Sequence, residues 1–306
     1  MPARIPADSC PSRRSRLSWP NGVAGNPAMP AGSGFAAARS MALPPLEGIV
    51  YGPVRSRRLG RSLGVNLLPT GMKVCNMNCA YCQYGWTRGA TRYRDQGKGW
   101  PAAQAVAMAV EDRLARAADC NEIVDRITVA GHGEPTLHPE FDEVTARLRD
   151  VRDRVAPGIP IAVLSNSTTA SWPDVRQALG LYDERYMKLD AGDPITYASL
   201  NGSGPALTTI MDGLRRLPTI VVQSMFVADS THRVENATEG AVHAWLQALD
   251  TVRAAAAHIY TIDRAPALAT LQPVSRRRLR EIAERVRANG IPAEVFAARS
   301  PRKPSG

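Results

Sequence analysis

The sequence predicts an α/β fold of parallel strands with helices packed outside them, closed or partly closed into a barrel. Three observations carry this. Short β-rich runs alternate with helical runs from Val65 to the end of the chain, which is the signature of repeated βα units. Polar clusters recur directly after successive strands, where such folds place their chemistry. The first strand lacks the Gly-rich phosphate fingerprint that an open, doubly wound sheet would carry there.

The elements follow in order. Residues 64–69 read as the first strand, with a cysteine-rich loop after it. Residues 101–118, Ala-rich and full of good helix formers, predict a helix. A β-rich run at 126–130 ends at the Gly131 turn, and 139–154 alternates charged and apolar side chains at helical spacing. Residues 159–164 are the third strand, leading to Ser165-Asn166-Ser167 and a helix near 172–180. The fourth strand is 186–190, followed by a helix at 206–216 that ends before Pro218. Residues 219–227 form the fifth strand, 238–255 a helix and 258–262 the sixth strand. Ser275 is a natural N-cap for a helix with Leu279, Ile282, Ala283 and Val286 on one face; Gly290 stops it, and 292–296 adds a last short strand.

Residues 1–44 are rich in Pro, Gly, Ser, Ala and Arg without sustained periodicity and are expected to be a disordered tail. Residues 45–296 then form the core barrel and 297–306 a basic flexible tail. Ser12-Arg13-Arg14 has no apolar stretch behind it, so no export signal is expected, and translation starts at either Met1 or Met41. No apolar run reaches the ~18 residues of a membrane span. The formal net charge is +10, but the first forty residues carry +4 and the last ten +3, which leaves the body near neutral. Basic tails can still speed encounter with an anionic partner. Five cysteines, three of them clustered, do not read as a disulfide framework, and the cytoplasm is the expected compartment.

Cys75, Cys79 and Cys82 are spaced C-x3-C-x2-C. Thiolates this close suit a soft metal centre, an iron–sulfur cluster or zinc. No fourth cysteine lies nearby, so a cubane held here would keep one iron free of protein sulfur.

With Tyr81 as the aromatic, C-x3-C-x-aromatic-C resembles the cluster motif of the radical SAM superfamily. Residues 52–60, 131–139 and 260–264 resemble one branch of it, the iron–sulfur oxidoreductases related to the wyosine-base tRNA synthases, and the likeness spans roughly residues 45–296. The resemblance implies a partial (β/α)6 TIM-type barrel in which Cys75, Cys79 and Cys82 hold a [4Fe-4S] cluster. The fourth iron would chelate S-adenosylmethionine, whose reductive cleavage gives a 5′-deoxyadenosyl radical that abstracts hydrogen from a substrate. An external one-electron reductant of the flavodoxin or ferredoxin type is implied too. By the same analogy Tyr81 contacts the adenine, and Gly131, Gly133, Glu134 and Pro135 receive the methionyl ammonium. Asn166 and Asp190, at successive strand ends, would reach the ribose hydroxyls or the carboxylate of the cofactor.

Each of these residues also has a plainer reading. Tyr81 can be a packed aromatic, Glu134 a cap for the following loop, and Asn166 and Asp190 turn-formers. Lys188 shares a strand face with Asp190 and can pair with it or form a Schiff base. Arg55, Arg57, Arg58 and Arg61 suit a phosphate-bearing substrate or a solvated charged edge. No metal role falls to the five histidines. Wyosine synthases carry extra cysteines for a second cluster, whereas only Cys10 and Cys120 remain here, so wyosine synthesis itself is not expected. The substrate stays open among a tRNA base, a small metabolite and a peptide; no catalytic residue and no oligomeric state are assigned. The competing class is a non-catalytic iron–sulfur or zinc protein, either an electron carrier or an RNA-binding module.

Overall fold

An antiparallel hairpin, Val50–Ser56 (β1) and Gly60–Val65 (β2), opens the sheet ahead of the expected first strand. Gly52-Pro53 inside β1 reads as a breaker, but the strand lies at a sheet edge and carries an irregularity there, the setting in which Pro is tolerated. The expected strand at 64–69 instead ends at Val65, because Asn66 turns the chain: its Oδ1 accepts the Leu68 N–H (3.3 Å) and its Nδ2 donates to the Leu68 carbonyl (3.2 Å). This computed structural model describes residues 43–87, 99–202 and 204–298; nearly all of both expected tails lies outside the described residues.

After the hairpin come α1 (Ala103–Asp119), β3 (Arg126–Val129), α2 (Phe141–Val155), β4 (Ile161–Ser165), α3 (Pro173–Gly180), β5 (Glu184–Lys188), α4 (Pro194–Asn201) and α5 (Leu207–Arg215). They are followed by β6 (Val221–Asp229), α6 (Glu239–Thr251), β7 (Ala256–Thr261), β8 (Leu271–Pro273), α7 (Arg276–Ala288) and β9 (Ala293–Phe296). The strands lie in the order β1-β2-β3-β4-β5-β6-β7-β9, parallel from β2 onward, and β8 pairs antiparallel with the end of β6. β1 and β9 are the two margins, so the barrel is partial. The short α4 and β8 were not anticipated, and Cys120 is half-buried at the C-cap of α1.

Alternate residues of the strands, Leu63, Val65, Ile127 and Val129 among them, are fully buried in one core with Val106, Val110 and Leu148 of the helices. Burying side chains of this size contributes ~1.5–3 kcal/mol each. Caps hold the helix starts: Ser275 accepts from Arg278 N, Thr238 from Ala241 N, and Asp193 from Ile195 N and Thr196 N.

The gap between the margins is bridged by the β1–β2 turn. Leu59 packs inside the barrel against Ala162 and Tyr186. Arg57 reaches the far margin, donating to the Ala297 carbonyl (2.7 Å) and pairing with Asp263 (3.1 Å). Among the described residues no helix is long and apolar enough to cross a membrane.

Candidate functional site

The cysteine loop leaves the C-terminal end of β2 and is tied down by backbone. Asn78 N and Ala80 N donate to the carbonyls of Asn201 and Leu200 at the end of α4 (2.9 and 2.8 Å), and the Val74 carbonyl accepts from Glu134 N (2.9 Å). Thr87 returns to the loop through Met77 O and Asn78 Oδ1, both at 2.8 Å. So fixed, Cys75, Cys79 and Cys82 line one cavity of about 470 Å³ at the C-terminal ends of the strands. Burial pushes the Cys75 thiol up to about 12, with the neighbouring Cys79 adding to the shift. Such a thiol stays protonated at neutral pH until a cation takes the proton's place.

The glycines after β3 have a packing reason. A Cβ on Gly133 would lie 1.8 Å from the Val74 carbonyl oxygen, and one on Gly131 2.3 Å from Asn66 Oδ1. Both residues therefore let this loop press against the chain leading into Cys75. Between them His132 is a clamp: Nδ1 accepts from Leu46 N (3.1 Å), which makes Nε2 the donor to the Pro69 carbonyl (3.0 Å). Glu134 lines the cavity, yet its carboxylate is held by Thr136 N and Oγ1, Ser165 Oγ and Asn166 N, at 2.5–3.1 Å. Burial raises its pKa and those donors oppose the rise. It thus caps the 3-10 turn Pro135–Leu137 and joins the loops after β3 and β4; Pro135 opens that turn away from the cavity lining.

Asn166 lines the cavity and points its amide at the cysteine loop, with Nδ2 2.8 Å from Asn76 Oδ1 and 3.6 Å from Cys75 Sγ. Asp190 sits behind the wall rather than on it. Its buried carboxylate accepts from the Tyr81 hydroxyl, Asn201 Nδ2 (3.0 Å) and Met225 N (2.9 Å). Lys188 completes this knot, with Nζ 2.7 Å from the Tyr81 hydroxyl, 3.7 Å from Asp190 and 4.8 Å from the centre of the Tyr81 ring. Burial would discharge Lys188, but Asp190 outweighs it and holds the ammonium well above its ordinary value. The structure thus shows the ion pair, not a neutral amine poised for a Schiff base.

Residues 70–223 match the family model described as the radical SAM superfamily. The chain belongs to the radical SAM superfamily. It is 35% identical over 153 residues to a UPF0026 protein of Methanocaldococcus jannaschii (50% of this chain, 44% of the relative), and 31% identical over 182 residues to a UPF0026 protein of Helicobacter pylori (59% and 55%). The chain spans about half the length of these curated relatives. Its fold is similar to that of a radical SAM methyltransferase from Sphaerobacter thermophilus (TM-score 0.55, 18% identity, 78% of this chain, 67% of the other). A similar fold occurs in Streptococcus suis SuiB bound to S-adenosylmethionine (TM-score 0.52, 12% identity, 74% and 49%).

The cofactors of the radical SAM superfamily are a [4Fe-4S] cluster and S-adenosylmethionine, and the residues fit the cluster. Cys75, Cys79 and Cys82 line one cavity, as three cysteines that each take one iron of a cubane require. Asn166 aims an amide N–H at Cys75 Sγ, and Asn201 another at Cys79 Sγ (3.3 Å), as ligand sulfurs carrying negative charge require.

Asn201 and Asn76 were missed from sequence: one ends a short helix 122 residues from Cys79, the other is a bare polar residue between two cysteines. The basic stretch divides. Arg61 pairs with Asp125 in a fork (3.1 and 2.8 Å), Arg57 bridges the sheet margins, and Arg55, Arg57 and Arg58 line the cavity.

Proposed function

We propose that this chain is a radical SAM enzyme in which Cys75, Cys79 and Cys82 each ligate one iron of a [4Fe-4S] cluster inside the barrel mouth. The observation that carries this reading is the single cavity shared by the three thiols, the Gly131–Glu134 loop and Asn166. When bound, the cluster would supply one electron to the sulfonium of S-adenosylmethionine, releasing methionine and a 5′-deoxyadenosyl radical that takes hydrogen from the substrate.

The residues divide the remaining work. Asn166 and Asn201 orient Cys75 and Cys79 and favour charge on their sulfurs. Glu134 locks the loops after β3 and β4 together, so that Gly131 and Gly133 present backbone to the cavity for the methionyl group. Tyr81, fixed by Asp190 and Lys188, offers a rigid ring wall for the adenine. Walls this well tied also keep solvent from a reactive intermediate. The substrate class, among a tRNA base, a small metabolite and a peptide, is set by the rest of the cavity. An external one-electron reductant of the flavodoxin or ferredoxin type and a cytoplasmic setting belong to the same proposal.

Anaerobic reconstitution of the full chain tests it. About four irons per chain, as a cubane implies, and dithionite-dependent formation of 5′-deoxyadenosine, lost in Cys79→Ala, are the expected results. One zinc per chain with no nucleoside product would assign the protein to the non-catalytic class instead.

A further inference from the structure

We infer that the part of the cavity wall built by β5, β6, β7 and the β1–β2 turn is a subsite for an anionic group of the substrate, a carboxylate or a phosphate monoester, received by Arg58 and Gln223 with Lys188 beside them. This rests on the reading of the cavity as a cofactor-and-substrate chamber.

The Arg58 guanidinium lies over the Tyr260 ring, 4.5 Å from its centre, and its Nη1 donates to Gln223 Oε1 at 3.2 Å. The ring contact holds the guanidinium in place, and the hydrogen bond engages the oxygen end of the Gln223 amide, leaving Nε2 as its other end. Gln223 is only 5% exposed, and its Nε2 is buried with no hydrogen-bond partner. Buried N–H groups are nearly always paired, so this orphan, on a residue that lines the cavity, lacks an acceptor that a bound group could supply. Among the described residues no carboxylate pairs with Arg58, whereas Lys188 has Asp190 and Arg57 has Asp263. Lys188 and Gln223 are directly opposed across β5 and β6, and Arg58, Lys188, Gln223 and Tyr260 all line the same cavity.

The local set is therefore one guanidinium with no carboxylate partner, one orphan amide donor and an adjacent ammonium paired with Asp190, the Gln223 Oε1 acceptor being taken by Arg58 itself. A planar guanidinium presents parallel N–H groups that match the two oxygens of a carboxylate or phosphate. Closing the barrel margins accounts for Arg57 and Leu59 but leaves the orphan donor of Gln223 unexplained; an incoming anion accounts for it. The cysteine loop and the loops after β3 and β4, which the proposed function gives to the cofactor, are separate elements.

Calorimetric titration of the anaerobically reconstituted full chain at low salt, with inorganic phosphate and with acetate as separate probes, tests the subsite. One anion per chain is expected. Gln223→Met should weaken it several-fold, the range of one hydrogen bond, and Arg58→Gln should abolish it. Arg58→Lys, which keeps the charge, should retain part of the binding, and circular dichroism separates a lost site from a lost fold. Tighter phosphate assigns a phosphate monoester; tighter acetate assigns a carboxylate. Equilibrium dialysis of S-adenosylmethionine runs in parallel. No saturable binding of either anion, or an unchanged affinity in Gln223→Met, overturns the inference. So does competition by S-adenosylmethionine with equal weakening of both by Gln223→Met, because the anion would then be the cofactor's own carboxylate. Loss of S-adenosylmethionine binding with Gln223-dependent anion binding intact would sink the proposed function and leave the subsite standing.

Discussion

Asn201 Nδ2 lies 3.3 Å from Cys79 Sγ and 3.0 Å from Asp190 Oδ2, so one amide at the end of α4 joins a proposed iron ligand to the carboxylate that anchors Tyr81. An N–H donated to a ligand sulfur favours the more negatively charged, reduced cluster. We expect Asn201→Leu to keep its iron but to shift the cluster midpoint downward in an EPR-monitored redox titration. A bond worth ~1 kcal/mol more in the reduced state corresponds to roughly 40 mV for one electron. An unmoved midpoint at full iron loading would remove Asn201 from the cluster's surroundings.

Gly133→Ala should loosen the cysteine loop itself. The new Cβ would meet the Val74 carbonyl at 1.8 Å, and backbone must move to relieve it. Overpacking of this kind costs ~1–3 kcal/mol. A lowered melting temperature together with substoichiometric iron after reconstitution is the expected pair of results. Gly158→Ala is a poor comparison because of its positive φ, but Gly240→Ala, with open space at its Cβ, serves as the control.

Leu59→Ala tests the anchor that seats the bridging turn, with its Arg57, against β4 and β5. Leu59 is 5% exposed and packs between Ala162 and Tyr186, so its truncation should cost ~2–5 kcal/mol, read as a lowered urea midpoint. Hydrogen exchange should rise first in β1, β2 and β9. Protection lost uniformly, with no preference for these strands, would count against the bridge.

His132 gives the fold an acid limb. Burial lowers its pKa from the ordinary 6.5, and Nδ1 must stay unprotonated to accept from Leu46 N. As pH falls, the unfolded chain therefore takes up this proton before the folded one. Stability is full above the ordinary histidine range and is lost on descending below it, at no more than ~1.4 kcal/mol per pH unit for one proton. His258, also lowered by burial, adds a slope of the same sign. In His132→Gln, urea midpoints between pH 7.5 and 5 should fall less steeply than in the unsubstituted chain.

What could be read from sequence was whatever repeats or clusters locally. The alternation of β and helical runs exposed the parallel sheet, Ser275 announced its helix, and three cysteines within eight residues located the cavity wall. What could not be read depends on residues far apart in the chain. Asp190 read equally as a cofactor contact or a turn-former, and sequence could not show that Tyr81, Asn201 and Met225 N all donate to its carboxylate. The arginines before the first strand suited a phosphate-bearing substrate or a solvated edge, and sequence alone could not show that Arg57 and Arg58 find partners 240 and 165 residues away. Gly52-Pro53 hid β1, since a dipeptide that breaks interior strands is harmless at a margin.

The bridging turn also separates what makes this protein recognisable from what lets it stand. The matched stretch, residues 70–223, begins after β2 and stops three residues into β6. Cut to those limits, the polypeptide would retain every cysteine of the motif yet expose raw backbone along β3 and β6, inviting self-association in place of turnover. Genetic dissection of this protein should therefore keep at least Leu46 to Ala297, which hold the partners of His132 and Arg57.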